Sequence, residues 1–314
     1  KGIFKRILIN SDFYRTAIIT NKKKMIMKRR FPESELIING DGSCFHLHVR
    51  PEQLSDSIVL VSDPVSVNLV ASHFDEKECD IESREFHTIT GTYKGKRITC
   101  LSYGFGSENI DIVLNELDTL ANVDYKTREE KDCHRTLTLV NIGISEGVQS
   151  HIKTGTVIAS VKSIGFDGLL NFYAGRNDVC DLKMESAFTK HMQWKTVKGA
   201  PYIVATEEDL LEQIAQMDLV RGYTVSSIGF YAPQGRGLRL PLEEPKLKDK
   251  LASFEYDGCN ICNIDMESAS ITGLASLLGH RAISCCVVDD AKQISNLCEN
   301  KAFNSLIQLV LDRL

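Results

Sequence analysis

Continuous apolar runs alternate with segments of helical periodicity along most of the chain, and this alternation constrains the fold more than any other feature. Runs such as "SIVLV" at 57–61, "LTLVNIGI" at 137–144 and "RAISCCVV" at 281–288 are apolar at successive positions, not only at every second one. Strands of that kind are buried on both faces, as in a parallel sheet covered by helices on each side. The expected strands are 58–62, 97–103, 137–144, 155–163, 223–230, 260–265 and 281–288; the expected helices are 65–74, 108–121, 207–217, 244–254, 267–279 and 299–314. Within 108–121, Ile110, Val113, Leu114, Leu117 and Leu120 fall on one helical face, and Phe303, Leu306, Ile307, Val310 and Leu314 do so in the last segment. "EFHTITGTYKGKRITCLS" differs: it reads as an antiparallel hairpin turning at Lys94-Gly95. The pattern predicts one α/β domain with a central mixed, largely parallel β-sheet flanked by helices.

A chain of 314 residues with 43% hydrophobic content can bury a large core. It has no run of 18 apolar residues, so no membrane span is expected. The net charge of −5 is unevenly placed. Residues 1–31 hold ten Lys/Arg and one Asp, whereas the remainder holds 27 basic and 41 acidic residues, a charge of −14. A body that acidic is a poor nucleic-acid binder. The head, residues 1–32, is expected to be a basic, disordered extension; a transit peptide and an interaction arm are the other readings. The globular domain is then 33–314.

Ten cysteines are present, several inside apolar runs, which suits buried free thiols in a reducing compartment and a cytoplasmic location. "CNIC" at 259–262 has no second pair at zinc spacing and is expected in a strand, so no metal site is predicted.

In open α/β sheets ligands bind beyond the carboxyl ends of the strands. Four turns occupy such places: "VSDPVSV" (61–67), "SYGFGSEN" (102–109), "VNIGISEGVQ" (140–149) and "NIDMESAS" (263–270). A fifth segment, "GFYAPQGRGLRLPL" (229–242), combines aromatics, an amide and arginines. Singly these are weak signals. Gly104-Phe105-Gly106 lacks the third glycine of a dinucleotide fingerprint. Asp265 and Glu267 could simply cap a helix, Phe230 could be core, and Arg236 a solvated charge. His46 and His48 alternate as along a strand, which would turn only one of them inward.

Together, "FHL" at 45–47, "REF" at 84–86, "FYAPQGR" at 230–236 and "MESASITGLASLLG" at 266–279 resemble the nucleoside phosphorylase family, which includes uridine phosphorylase and the hexameric purine nucleoside phosphorylases. The uridine phosphorylase branch fits best, and the resemblance spans about 33–314. It implies cleavage of a nucleoside by inorganic phosphate, giving free base and ribose 1-phosphate with no cofactor beyond that co-substrate. It implies sugar contacts from Met266 and Glu267, and from Asp265 where the family commonly has a longer Glu. Phe230 would stack near the base, and Gln234 with Arg236 would read its edge. His46 and Arg84 would be lent by a neighbouring subunit, to sugar and phosphate respectively. A homodimer or a hexamer of dimers is therefore implied.

The phosphate side departs from the family pattern. Gly-Asp-Pro, one residue, then Arg is expected in the first turn; here it is Ser62-Asp63-Pro64-Val65-Ser66. Asn141 stands for an arginine, Ile144 for a threonine and Glu146 for a small residue. Asp289 and Asp290 stand near an expected Asn-Arg pair, and purine-specific relatives use an aspartate in that area. Each lost charged hydrogen bond removes about 1.5–3 kcal/mol, so two missing arginines weaken phosphate binding by roughly two to four decades. Three readings result: weakened phosphorolysis, most simply of uridine; a non-catalytic nucleoside-binding or regulatory subunit, which could pair with an active paralogue; and a nucleoside hydrolase with Glu146 as base.

Overall fold

The computed structural model describes residues 28–289 and 299–314. In chain order the first half contains β1 (Ser57–Val61), α1 (Pro64–Ala71), β2 (Glu76–Ser83), β3 (Phe86–Tyr93), β4 (Lys96–Ser102), α2 (Ser107–Asn122), β5 (Val123–Asp124), β6 (Glu129–Glu130) and β7 (Thr138–Gly147). There follow β8 (Val157–Gly165), α3 (Arg176–Val179), α4 (Leu182–Met192), β9 (Tyr202–Ala205), α5 (Glu208–Ala215) and β10 (Val220–Ser226). The chain finishes with α6 (Leu247–Ala252), β11 (Glu255–Tyr256), β12 (Cys259–Asp265), α7 (Ser268–Leu277), β13 (Arg281–Val288) and α8 (Lys301–Arg313).

One mixed sheet runs β11-β12-β10-β8-β13-β7-β1-β4-β3-β2, with β9 added to β8. Neighbours β4, β1, β7 and β13 pair in parallel, as do β8, β10 and β12. Antiparallel pairing is more extensive than the apolar runs suggest. Beyond the β3–β4 hairpin it joins β13 to β8 and β12 to β7, closing β7, β13, β8, β10 and β12 into a ring. Long strands β7 and β8 make this possible because each changes partner along its length.

Helices cover both faces. Val67 and Val70 of α1, Leu210 and Ile214 of α5, and Phe303, Leu306, Ile307 and Val310 of α8 share one apolar cluster with Val59, Val140 and Ile283. Ile110, Val113, Leu114 and Leu117 of α2 and Ile271 and Leu274 of α7 pack on the other face with Leu60, Leu101 and Leu139.

Several local expectations change. "CFHLHV" is a turn, not a strand; His48 adopts a left-handed φ of 55° and is exposed, and Cys44, Leu47 and Val49 are the buried side chains. The first expected helix stops at Ala71, and the one expected over 244–254 shortens to 247–252. Arg30 bridges to Glu129, the Phe31 N–H donates to Arg128 O at 2.8 Å and Lys28 pairs with Asp132 at 2.8 Å. The last residues of the basic head therefore dock on the β5–β6 hairpin, while 1–27 lie outside the described residues. "CNIC" lies in β12, as expected.

Gly165, the last residue of β8, has the Tyr202 ring so close that an added Cβ would lie 2.3 Å from Cζ. Tyr202 is fully buried and donates from its hydroxyl to both Asp167 oxygens at 2.9 Å, so the ring cannot swing aside cheaply. Gly165→Ala is expected to lower unfolding free energy by about 1–3 kcal/mol. A denaturant midpoint equal to that of wild type would refute this packing.

Candidate active site

The carboxyl ends of β1, β4, β7, β10 and β12 converge on a cleft of about 430 Å³, a volume in the range of small-molecule sites. All five expected turns reach it. Ser62 and Ser66 follow β1; Tyr103 and Phe105 follow β4; Asn141, Ile144 and Glu146 belong to β7. Phe230, Gln234 and Arg236 come from the segment after β10, and Asp265, Met266 and Glu267 from the β12–α7 junction.

On the sugar side, helix α7 begins under two buried carboxylates. Asp265 accepts from the Ser268 hydroxyl and, at 3.4 Å, from its N–H, so its carboxylate is turned to the helix start. Glu267 accepts from the Gly106 N–H at 2.9 Å, across the cleft floor. Gly106 has φ 93°, and a Cβ there would lie 2.7 Å from the Glu108 carboxylate, so glycine is required for this approach. Burial pushes Asp265 up to about 6. Burial, followed by repulsion from Asp265, pushes Glu267 up to about 8. Among the described residues no cation offsets either effect.

Where the base is expected, one network engages Gln234 and Arg236. The Gln234 amide donates to Ser227 Oγ at 2.8 Å, and its Oε1 accepts from Arg236. Arg236 also donates to Phe230 O at 2.6 Å, stacks 4.0 Å from the centre of the Phe230 ring and pairs with Glu146 at 2.6 Å. Lys248 of α6 pairs with the other oxygen of Glu146. Glu146 thus lines the cleft as a carboxylate neutralised by two cations.

On the phosphate side, Asp63 caps α1 and accepts from the Ser66 N–H at 2.9 Å and hydroxyl at 2.7 Å. Pro64, at the first helical position, offers no N–H. Asn141 accepts from the Tyr103 hydroxyl at 3.0 Å and donates to Ser284 Oγ at 3.1 Å. Ile144 packs against the α8-side core. Asp289 lines the cleft and accepts from Asn300 at 2.7 Å; Asp290 lies outside the described residues.

His46 and Arg84 do not line this protomer's cleft. They share a separate patch: the Arg84 guanidinium lies 5.6 Å from the Phe45 ring, which meets His46 edge-on at 4.7 Å. His46 Nδ1 is 2.6 Å from Glu116, whose carboxylate also accepts the N–H groups of residues 46 and 47. Tyr103, Phe105 and Lys248 escape the sequence reading. Place alone signals the first two, since both lie in the 102–109 turn that follows β4. Among the described residues no group of three or more His, Cys, Asp or Glu is arranged to hold a metal, and the described cysteines are free. Burial raises the Cys262 thiol to about 11, which makes it a poor nucleophile and metal ligand.

An α/β sheet with a cleft at converging strand ends, floored by paired acids and edged by an aromatic–amide–arginine segment, has the architecture of nucleoside phosphorylases. The comparisons agree: residues 56–307 match the phosphorylase superfamily, and the chain belongs to that family. A DeoD-type purine nucleoside phosphorylase of Vibrio cholerae is 24% identical over 280 residues, covering 85% of this chain and 96% of its own. A uridine phosphorylase of Thermococcus kodakarensis is 25% identical over 267 residues, covering 83% and 82%. The crystal structure of a Trypanosoma brucei nucleoside phosphorylase, described as showing uridine phosphorylase activity, superposes with a TM-score of 0.79 at 23% identity and covers 89% of this chain and 99% of that one.

The acids of the cleft make stability depend on pH. Folded Glu267 titrates near 8 against an ordinary 4.5, so between those values the folded protein retains a proton that the unfolded chain has released. Stability contributed by this group is present at acid pH and is lost as pH rises through that window. Glu267→Gln is expected to raise the melting temperature relative to wild type at pH 8 and much less at pH 5. A difference independent of pH would contradict the assignment.

Proposed function

We propose that this cleft binds a nucleoside, most simply uridine, and that phosphorolysis is weak because the chain's own anion corner has no free charged donor. The observation that carries this reading is the state of the expected phosphate ligands. Ser66 is engaged by Asp63 and Asn141 by Tyr103 and Ser284, while Arg236, the only Lys or Arg lining the cleft among the described residues, is paired with Glu146. The sugar and base sides keep their expected residues in one cleft: Met266 and Glu267 on one side, Phe230, Gln234 and Arg236 on the other. Uridine heads the candidates because the "FYAPQGR" segment resembles the uridine phosphorylase branch and because uridine phosphorylases stand among the similar proteins.

A second reading has a specific observation behind it. His46 and Arg84 lie together outside their own cleft, as residues lent to a neighbour would. Such a protomer could complete the site of a second copy or of an active paralogue. A dimer remains the simplest assembly, with Arg84 of one copy as the one cation available to phosphate in the other. The hydrolase reading is disfavoured, since Glu146 is held between Arg236 and Lys248 and is not free to take a proton from water.

Uridine is expected to raise the melting temperature of the purified protein. Phosphate-dependent uracil release should be slower by roughly two to four decades than at a site with two arginine contacts. Fast phosphate-dependent release would overturn the weak-phosphorolysis reading, release without phosphate would restore the hydrolase, and absence of any thermal response to nucleosides would remove nucleoside binding itself.

A further inference from the structure

The turn after β4 places Tyr103 in the cleft lining together with Ser62, Ser66 and Asn141. Its backbone N–H donates to Val61 O at 2.9 Å, which fixes it at the end of β1. Strands β4 and β7 flank β1 on opposite sides, roughly 10 Å apart at ordinary strand spacing. Yet the Tyr103 hydroxyl reaches Asn141 Oδ1 on β7 at 3.0 Å. The phenol therefore crosses the carboxyl end of β1 on the α2–α7 face, where Leu60 and Leu101 also pack. It is 2% exposed although it borders the cleft beside Ser62 and Ser66. Burial, with Glu267 and Asp265 nearby, raises its titration well above the ordinary phenol range, so it stays neutral.

We propose that Tyr103 determines which ligand this corner accepts: its ring, tied to Asn141, fills the path a cation at position 141 would take toward phosphate and leaves a hydroxyl-lined corner in which Ser66 is held by Asp63. The inference rests on the nucleoside-binding reading and adds a residue to it. An arginine at 141 would meet the phenol before it reached the turn at Ser66. Restoring the two missing arginines is therefore insufficient while the ring remains.

Calorimetric titration with inorganic phosphate tests this on wild type, S66R/N141R, S66R/N141R/Y103T and S66R/N141R/Y103F, with the uridine-induced thermal shift recorded for each. The Y103T triple variant is expected to bind phosphate at least about tenfold more tightly than the double variant, the gain of one charged hydrogen bond. The Y103F variant keeps the ring and should gain nothing. Equal phosphate affinity of the double and the Y103T triple variant overturns the proposal, as does equal gain by Y103F. If the triple variants do not fold, a wild-type crystal soaked in phosphate decides. An anion seated between Ser62 and Asn141 with Tyr103 in place refutes the plug, and an intact Tyr103–Asn141 bond with no anion supports it. Loss of the uridine response in wild type would instead sink the nucleoside-binding reading and leave the phosphate comparison valid.

Discussion

The bend in β7 governs where the functional turns lie. Its residues from Thr138 onward run parallel to β1 and β13, but Glu146 and Gly147 pair antiparallel with Ile264 and Asn263 of β12. That change of partner carries Asn141, Ile144 and Glu146 across to the acids at the start of α7. It requires close approach: a Cβ on Gly147 would lie 2.9 Å from Val288 Cγ1. A buried polar chain fixes the geometry. Ser160 and Thr224 hydroxyls are 2.6 Å apart, Thr224 donates to Asn263 at 2.8 Å, and Asn263 donates to Ser145 at 2.9 Å. Apolar strands alone could slip past one another; a satisfied hydrogen-bond chain across β8, β10, β12 and β7 specifies one register.

Charge then decides what the cleft can hold. Glu267 and Asp265 are buried without a cation, and Arg236 is already paired with Glu146. At neutral pH Asp265 is ionised while Glu267 still holds its proton, so an inorganic phosphate brought into this space would meet the Asp265 carboxylate with little to compensate it; a like-charge contact at about 4 Å costs on the order of 4 kcal/mol at the effective dielectric of a partly buried site. A neutral ribose carries hydroxyls that donate to the same carboxylates and relieves their burial. Under the proposed reading this contrast between a sugar and an anion does not depend on which base is attached.

Much of this was legible in the residues. Apolar runs located β1, β4, β7, β8, β10, β12 and β13, and the 3.6-residue period located α2 and α8 within a residue or two. Strand β2 was not found because "EKECDIES" is a charged, half-exposed edge strand, which protects a sheet edge and lacks an apolar signature. Helix α4 had a signal that was passed over: Asp181 caps it, and Met184, Phe188 and Met192 recur every four residues on its buried face. The closing pairings β12–β7 and β13–β8 are set by tertiary bending and leave no local trace. Motif matching also placed ten of the expected sugar, base and phosphate residues around one cleft. It could not show that Asp265 turns to its own helix, that Glu146 is neutralised by Lys248 from a distant helix, or that the two histidines of "CFHLHV" lie in a turn.

The replaced positions have one more property in common. Ser66 bonds Asp63, Asn141 bonds both Tyr103 and Ser284, Ile144 joins an apolar cluster, and Glu146 is clasped by Arg236 and Lys248. Simple loss of arginines would leave a wet, underbonded hollow, since buried polar groups without partners are costly. Here each replaced residue has its own contacts, and the partners Asp63, Tyr103, Ser284, Arg236 and Lys248 come from five different segments of the chain. That mutual satisfaction makes the corner stable without an anion. It is also why a single restored charge would have to break existing bonds before it could offer any to phosphate.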